Sequence, residues 1–341
     1  MLFLFPSIWL LGLAFSIDEM TMGFQGQHRD KKRITYKTEG DGFQCDALCQ
    51  DGFCYSFYMR NDPAPKRFLK QGLSPLHSRT MSLLDGVKDA YHQCTMDNLY
   101  MSASLCRAAI VMLANPVLTQ GVTRKSNRGI PPSVFQEEVK NRSKQISVRG
   151  TVKAAIIMGD PMCTHLLATS VYDTKPVHYL SMASPKIEWV AKTKLVYNVD
   201  TGKKEQLRFL RLNQINRYNN SMGEVDIADQ LRGSYRFNHW LRNRKWWWSL
   251  LFWGLGVILT NAYIVYTTYN EEEGVSSKNL LSQFEFRKSI ALHWINPEYT
   301  KQRKRRQDEY EVQTKTRKGS LGGTSAASSL TMDDSLRASS S

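Results

Sequence analysis

The chain has 341 residues, enough to bury a substantial core in one large domain or two ordinary ones. Apolar residues make up 42% and charged residues 23%, a globular balance that excludes wholesale disorder. The formal net charge of +15 points to a polyanionic partner, nucleic acid ahead of an anionic membrane surface, and six cysteines are too few for a disulfide framework in so long a chain.

Residues 1–15 form an apolar leader with two readings: a signal-peptide-like run without a basic start, or the lead-in to a buried strand. From Ile17 the residues alternate, so Asp18, Met20, Met22 and Phe24 share one face of an extended segment. An aspartate on an apolar face requires a partner, a hydrogen-bond network or a metal. Gln27 to Lys37 is basic and reads as an exposed loop or strand edge. Phe43, Cys45, Ala47 and Cys49 alternate again, Asp51-Gly52 signals a hairpin turn, and Phe53 to Met59 is a second aromatic strand. Four residues of strand span roughly 13 Å. Cys45 and Cys49 are therefore too far apart to grip one tetrahedral ion and read as reduced core residues.

Beyond a proline-punctuated loop from Asn61 to Pro75, the spacing predicts a helix over Ser78 to Ala90. A short strand, His92 to Met96, then delivers Asp97 to the start of a second helix over Ser102 to Leu113, and Val117 to Val122 is another strand. This order predicts a mixed sheet with helices against it. Asp97 falls where a strand ends and a helix begins, the usual location of sites in such sheets. Residues 128–213 read as a β-rich insertion with turns at Gly159-Asp160-Pro161, at residues 173–176 and at Asp200-Thr201-Gly202.

Ser221 and Glu224 have capping-box spacing, which predicts a helix from Met222 and sets Asp226 and Asp229 one turn apart. Arg232, Arg236, Arg242, Arg244 and Lys245 follow among aromatic residues, a composition suited to DNA phosphates. Trp246 to Tyr266 carries no charge and is long enough for a membrane span, although a buried core helix has the same composition. Its opening Trp246, Trp247 and Trp248 read as core, with a dimer contact or a stacking surface for bases as the alternatives. Lys301 to Arg306 is a basic run that fits a nuclear-import signal or a phosphate patch, and Gly319 to Ser341 has a disordered composition.

Three acids on separate elements, Asp18, Asp97 and Asp226, suit hard divalent cations, and two such cations serve phosphodiester cleavage. No glycine-rich phosphate loop, His-based zinc pattern or Gly-x-Ser-x-Gly elbow competes with them. Three motifs carry a resemblance: Ser16-Ile17-Asp18-Glu19 with Gly23-Phe24-Gln25-Gly26; Thr95 to Ser102; and Tyr218 to Gln230, continuing to Arg244-Lys245-Trp246-Trp247 and Asn261-Ala262-Tyr263. In this order they resemble the piggyBac-type DDE transposases and the transposon-derived proteins related to them, from about Ser16 to Tyr266. Glu224 stands where a second glycine is usual, and Leu99 and Met101 replace the common aromatic and threonine.

The resemblance implies an α/β fold: an RNase H-like mixed sheet with flanking helices, interrupted by the insertion and followed by a helical segment. It implies a catalytic domain in residues 16–127 that resumes with the last catalytic helix in 214–235. A DNA-binding and dimerisation segment follows in 236–300, then a basic and Ser-rich tail in 301–341. By the same resemblance Asp18, Asp97 and Asp226 are the metal-binding catalytic acids, Asp229 is an auxiliary acid, and two Mg2+ ions, or Mn2+, are the cofactor. The implied partners are double-stranded DNA and a second copy of the chain, with no small-molecule substrate, and the implied location is the nucleus. The uncharged stretch after Lys245 then reads as a buried helix and not a membrane span. The expectation is a shortened copy, lacking part of the family's N-terminal DNA-binding domain and its cysteine-rich C-terminal zinc module. Its activity is excision and integration, or DNA binding alone with idle acids.

Overall fold

The computed structural model describes residues 9–34, 40–137, 150–156, 165–184, 186–198, 202–237, 245–296 and 298. The strands are β1 (Ala14–Gly23), β2 (Gly42–Gln50), β3 (Phe53–Met59), β4 (Gln93–Met96), β5 (Leu118–Val122), β6 (Val152–Ile156), β7 (Leu167–Tyr172), β8 (Pro176–Ser181), β9 (Trp189–Asn198) and β10 (Lys203–Leu212). The helices are α1 (Lys66–Leu69), α2 (Pro75–Leu84), α3 (Ala103–Val111), α4 (Asn213–Ser221), α5 (Glu224–Gly233), α6 (Trp246–Glu272) and α7 (Gln283–Ile295). Residues 1–275 form one unit and 276–341 a second.

In the first unit, the described strands form a mixed eight-stranded sheet in the order β3-β2-β1-β4-β5-β8-β7-β6. β2 runs antiparallel to β1 and β3, while β4 runs parallel to both β1 and β5. This is the mixed sheet with flanking helices expected from the sequence. The 128–213 segment divides: β6, β7 and β8 extend the main sheet, and β9 and β10 form a separate two-stranded ribbon.

The strand alternation sorts side chains between two cores. Phe15, Ile17 and Leu48 point toward α2 and α3, with Met81, Leu84, Leu105 and Ala109. Met20, Met22, Phe43, Cys45 and Ala47 point the other way, toward Val225 and Ala228 of α5 and Trp253 and Val257 of α6. The cysteines Cys45, Cys49, Cys54, Cys94 and Cys106 are buried free thiols, as expected, and burial pushes the Cys45, Cys49 and Cys94 thiols up.

Asp51 (φ 50°) and Gly52 (φ 78°) are both left-handed, the two-residue loop that a type I′ hairpin requires. A side chain at Gly52 would meet Ile227 Cγ2 at 2.9 Å, so α5 lies directly over this turn. Ahead of β1 the Trp9 ring stacks on Phe53 at 4.7 Å, and Gly12 N donates to Gln50 Oε1 at 2.7 Å, while residues 1–8 lie outside the described residues. The predicted helix at Ser78 to Ala90 instead starts at Pro75, N-capped by Ser74, and ends at Leu84.

α6 is long and apolar enough to cross a membrane. Its stripe of Trp253, Val257, Asn261 and Ile264 is nevertheless buried. Asn261 accepts from Cys54 N at 2.9 Å and donates to Cys54 O at 2.8 Å, pairing the open edge of β3. The leading tryptophans depart from expectation. Trp246 is 43% and Trp247 44% exposed. Trp246 reaches His28 and Phe43, at the rim of a largely apolar cavity of about 720 Å³.

In the second unit, Ser282 caps α7: its Oγ accepts from Glu285 N at 3.3 Å and Glu285 returns a carboxylate to Ser282 N at 3.0 Å. The basic run at 301–306 and the tail at 319–341 lie outside the described residues.

Candidate active site

Asp18 sits mid-strand on β1, and Asp97 is the first residue beyond β4. The parallel register pairs Ser16 with Thr95 and Ile17 with Met96, so one step further along each chain Asp18 lies beside Asp97. Neighbouring strands lie about 4.8 Å apart. The two residues are therefore neighbours across adjacent strands, on the face that α4 and α5 cover. Asp18 Oδ1 accepts the Glu19 amide at 2.8 Å. Asp97 opens a tight turn: its carboxylate accepts Asn98 N, and its carbonyl accepts Tyr100 N and Met101 N, each at 3.1 Å. Ser102 then caps α3, accepting Leu105 N at 3.1 Å.

A hydroxyl chain fixes the helix pair over this spot. Gln120 Nε2 donates to Thr95 Oγ1 at 3.0 Å, and Thr95 Oγ1 lies 2.6 Å from Ser221 Oγ. Ser221 spends its one proton on Arg217 O at 2.9 Å, so Thr95 must be the donor in the pair. Ser221 thus ends α4 instead of capping a helix from Met222, which corrects the capping-box expectation. Glu224 goes elsewhere too: it accepts the backbone N–H groups of Asp51 and Gly52 in the hairpin turn. Partial burial and the Asp51 charge still push the Glu224 carboxyl up.

Tyr218, on α4, had no assigned role in the sequence. Burial and then the negative charges of Asp97 and Asp18 push its phenol well above the usual range, which keeps it protonated. Below the sheet, a second network missed by sequence reasoning supports the Asp97 turn. The Tyr100 hydroxyl donates to Asp46 Oδ1 at 2.8 Å and accepts from Arg60 Nη2 at 3.0 Å. Arg60 also pairs with Asp46 at 2.6 Å and with Glu19, and Arg79 Nε reaches Asp46 Oδ2 at 3.3 Å. Asp46 and Tyr100 are fully buried, so these charges answer one another inside the protein. The aromatic at position 100 was visible in the sequence, but none of its partners was.

Asp226 lies in the first turn of α5 and is exposed, while its neighbours Val225 and Ala228 are buried against the sheet. Among the described residues, no three His, Cys, Asp or Glu side chains are placed to hold a metal ion. The Asp18 and Asp97 pair nevertheless offers the donor set Mg2+ prefers, one or two carboxylates with waters and substrate phosphates completing the shell.

The model of the family described as transposase IS4 matches residues 5–263. The chain belongs to the IS4 transposase family. This IS4-family chain is 25% identical over 292 residues to human piggyBac transposable element-derived protein 3, covering 82% of this chain and 44% of that protein. It matches the human chimeric ERCC6-PGBD3 protein at the same identity, covering 24% of it. The chain thus spans less than half the length of these relatives. The fold resembles a piggyBac transposase solved by cryo-electron microscopy in a synaptic complex with hairpin DNA, with a TM-score of 0.61 and 19% identity. That match covers 82% of this chain and 51% of the transposase.

The basic residues expected to contact DNA part ways in this IS4-family structure. Arg232 is 4% exposed: its Nη2 pairs with Asp229 at 3.1 Å, and its guanidinium lies 5.7 Å from the Trp253 ring centroid. Gly256 leaves room for its stem, with Arg232 Cγ 3.2 Å from where a Cβ would stand. Arg232 therefore locks α5 to α6, because α6 covers the side of α5 from which it projects. Asp229, expected as an auxiliary acid, is its ion-pair partner. Arg236 donates from Nε to Gly233 O at 3.1 Å, and Lys245 lies exposed with Nζ 5.9 Å from the Trp247 ring. Arg242 and Arg244 lie outside the described residues.

Proposed function

We propose that this chain is a transposase-type enzyme that cleaves and transfers DNA strands, with Asp18, Asp97 and Asp226 as its acids. The observation that carries the reading is that the parallel register sets Asp18, midway along β1, beside Asp97, the first residue beyond β4. Bound Mg2+ or Mn2+ supplies activation of the attacking oxygen and stabilises the leaving oxygen. Asp18 and Asp97 hold the cation, and Asp226 is the third carboxylate. Tyr218 keeps its proton beside them, available to a phosphate oxygen. Arg236, Arg242, Arg244 and Lys245 position the duplex through its phosphates, without reading sequence. DNA as the partner is supported by the structural neighbour's synaptic complex and by the chain's net charge of +15. A nuclear location and action as a homodimer belong to the same proposal.

A supercoiled-plasmid nicking assay with Mg2+ tests the chemistry. The parent is expected to nick, and Asp97→Ala and Asp18→Asn to fall to the background seen with a chelator. Equal nicking by parent and Asp97→Ala defeats the enzyme reading. The exposure of Asp226 favours a second reading in that event: a DNA-binding protein with idle acids, showing salt-sensitive duplex binding without turnover.

A further inference from the structure

α5 carries Asp226 in its first turn, and that turn starts without a side-chain cap. The residue before it is Gly223, and a Cβ built there would meet nothing within 4 Å. Asp226 and Ile227 are exposed, so water competes for the backbone on that side. Val225 packs the inner side of the turn against the sheet, but apolar packing is non-directional and leaves the first amides without partners. An uncapped turn open to water frays, and a carboxylate carried by a fraying turn has no fixed position.

The Glu224 side chain supplies the missing restraint from outside the helix. Asp51 and Gly52 are left-handed, with φ of 50° and 78°, and successive N–H groups in such a turn form a concavity for an anion. The Glu224 carboxylate fills it, accepting from both residues. The turn is itself held from above. A Cβ at Gly52 would lie 2.9 Å from Ile227 Cγ2 and 3.1 Å from Leu231 Cδ1 of α5, and 3.6 Å from Ile264 Cδ1 of α6. Asn261 of α6 fixes the strand just beyond, through Cys54 N and Cys54 O. A glycine at position 224, usual in the family that the motifs resemble, could make no such contact.

We propose that Glu224 is a positioning residue for Asp226: seated on the Asp51 and Gly52 amides, it stands in for the missing cap and fixes the first turn of α5 against the β2–β3 hairpin. Its carboxylate is committed to the turn, so it acts on the site through the helix and not on the metal or the DNA. The far end of α5 is tied to α6 by Arg232, so the two residues anchor the helix on either side of its acids. Such anchoring is what a metal-binding carboxylate requires, since the tolerance of a working site is about 0.5 Å. The inference rests on the DNA-cleaving reading above and adds to it a residue that reading leaves out.

The test is Mn2+ binding by the full chain in titration calorimetry, with hydrogen exchange and nicking measured on the same proteins. Glu224→Ala, which keeps helix propensity, is expected to bind Mn2+ about tenfold more weakly, the loss typical when a group that orients a metal-binding carboxylate is removed. Glu224→Gln retains one acceptor and should fall between Glu224→Ala and the parent. In an Asp226→Ala background neither substitution should weaken Mn2+ further, because the carboxylate they position is gone. The amides of Asp51, Gly52 and the first turn of α5 should exchange faster in Glu224→Ala, while those of α3 keep the parental rate. If Glu224→Ala melts early, Glu224→Gln at a temperature where both it and the parent are folded makes the same comparison. Parental Mn2+ affinity, or unchanged exchange at Asp51 and Gly52, overturns the role of Glu224 and leaves the enzyme reading standing. An equal loss of Mn2+ affinity in the Asp226→Ala background also overturns it, since Glu224 would then act on the fold at large. A parent that does not nick, or binds no Mn2+, overturns both.

Discussion

Thr95 and Ser221 are 126 positions apart in sequence and 2.6 Å apart in space, hydroxyl to hydroxyl. The contact joins the strand that delivers Asp97 to the helix pair that carries Asp226, so it sets the spacing of acids that no local signal could set. Thr95 is fully buried and also accepts from Gln120. Thr95→Val leaves the Gln120 amide without that acceptor and removes the donor to Ser221, at about 1–3 kcal/mol. Urea unfolding of Thr95→Val, Ser221→Ala and the double variant should show coupling between the two sites. Strict additivity would mean that the hydroxyls do not interact.

Arg232 separates a structural cation from a DNA-binding one. Removing one member of a buried ion pair costs about 3–5 kcal/mol, because the other charge is left inside without its partner. Arg232→Ala should therefore lower stability by about that amount in a denaturant titration, with Asp229 stranded against α6. Whatever folded protein remains should keep the parental salt slope for duplex binding. A stable Arg232→Ala protein with a reduced slope would return Arg232 to the DNA surface.

The contrast between what the sequence disclosed and what it hid has a physical pattern. Asp51-Gly52 was legible because a type I′ turn demands two left-handed residues, and few sequences supply them. Asp18 and Asp97 were legible because alternation and the strand-to-helix boundary are local properties. Arg232 was not legible: its spacing from Arg236 is that of a basic helix face, and only the placement of α6 decides that it is covered. Trp246 and Trp247 failed in the opposite sense, since an apolar run states what can be buried and not which of its residues the fold covers. Glu224 and the Arg60–Asp46–Tyr100 network depend on partners on other elements of the fold, and such pairs leave no periodic mark.

His77 makes the Asp97 turn sensitive to pH. Its Nε2 lies 3.1 Å from Tyr100 O, and burial lowers its affinity for a proton relative to the ordinary value of 6.5. The unfolded chain then takes up a proton first as pH falls below 6.5. Stability from this group is complete above that pH and is lost progressively as pH drops through the depressed folded value. His77→Gln should flatten this part of the stability profile between pH 7 and pH 5 in thermal melts. An identical profile in parent and variant would assign the acid sensitivity to other groups, His178 among them, whose proton affinity burial also lowers.

Tyr100 offers the most direct reading of how the lower network supports the acids. Its hydroxyl binds both Asp46 and Arg60, and burial and the Asp46 charge push the phenol well above its usual range, so it remains a donor at any working pH. Tyr100→Phe keeps the ring and the packing but strips one donor from a buried carboxylate. A loss of about 1–3 kcal/mol follows from the geometry. Because Tyr100 closes the turn that Asp97 opens, the same change should loosen the Asp97 carboxylate without touching the cation. In the nicking assay the variant is therefore expected to need more Mg2+ for half-maximal rate while retaining dependence on Asp18. Tyr100→Phe with parental stability and an unshifted Mg2+ requirement would confine the network to packing and remove it from any account of the site.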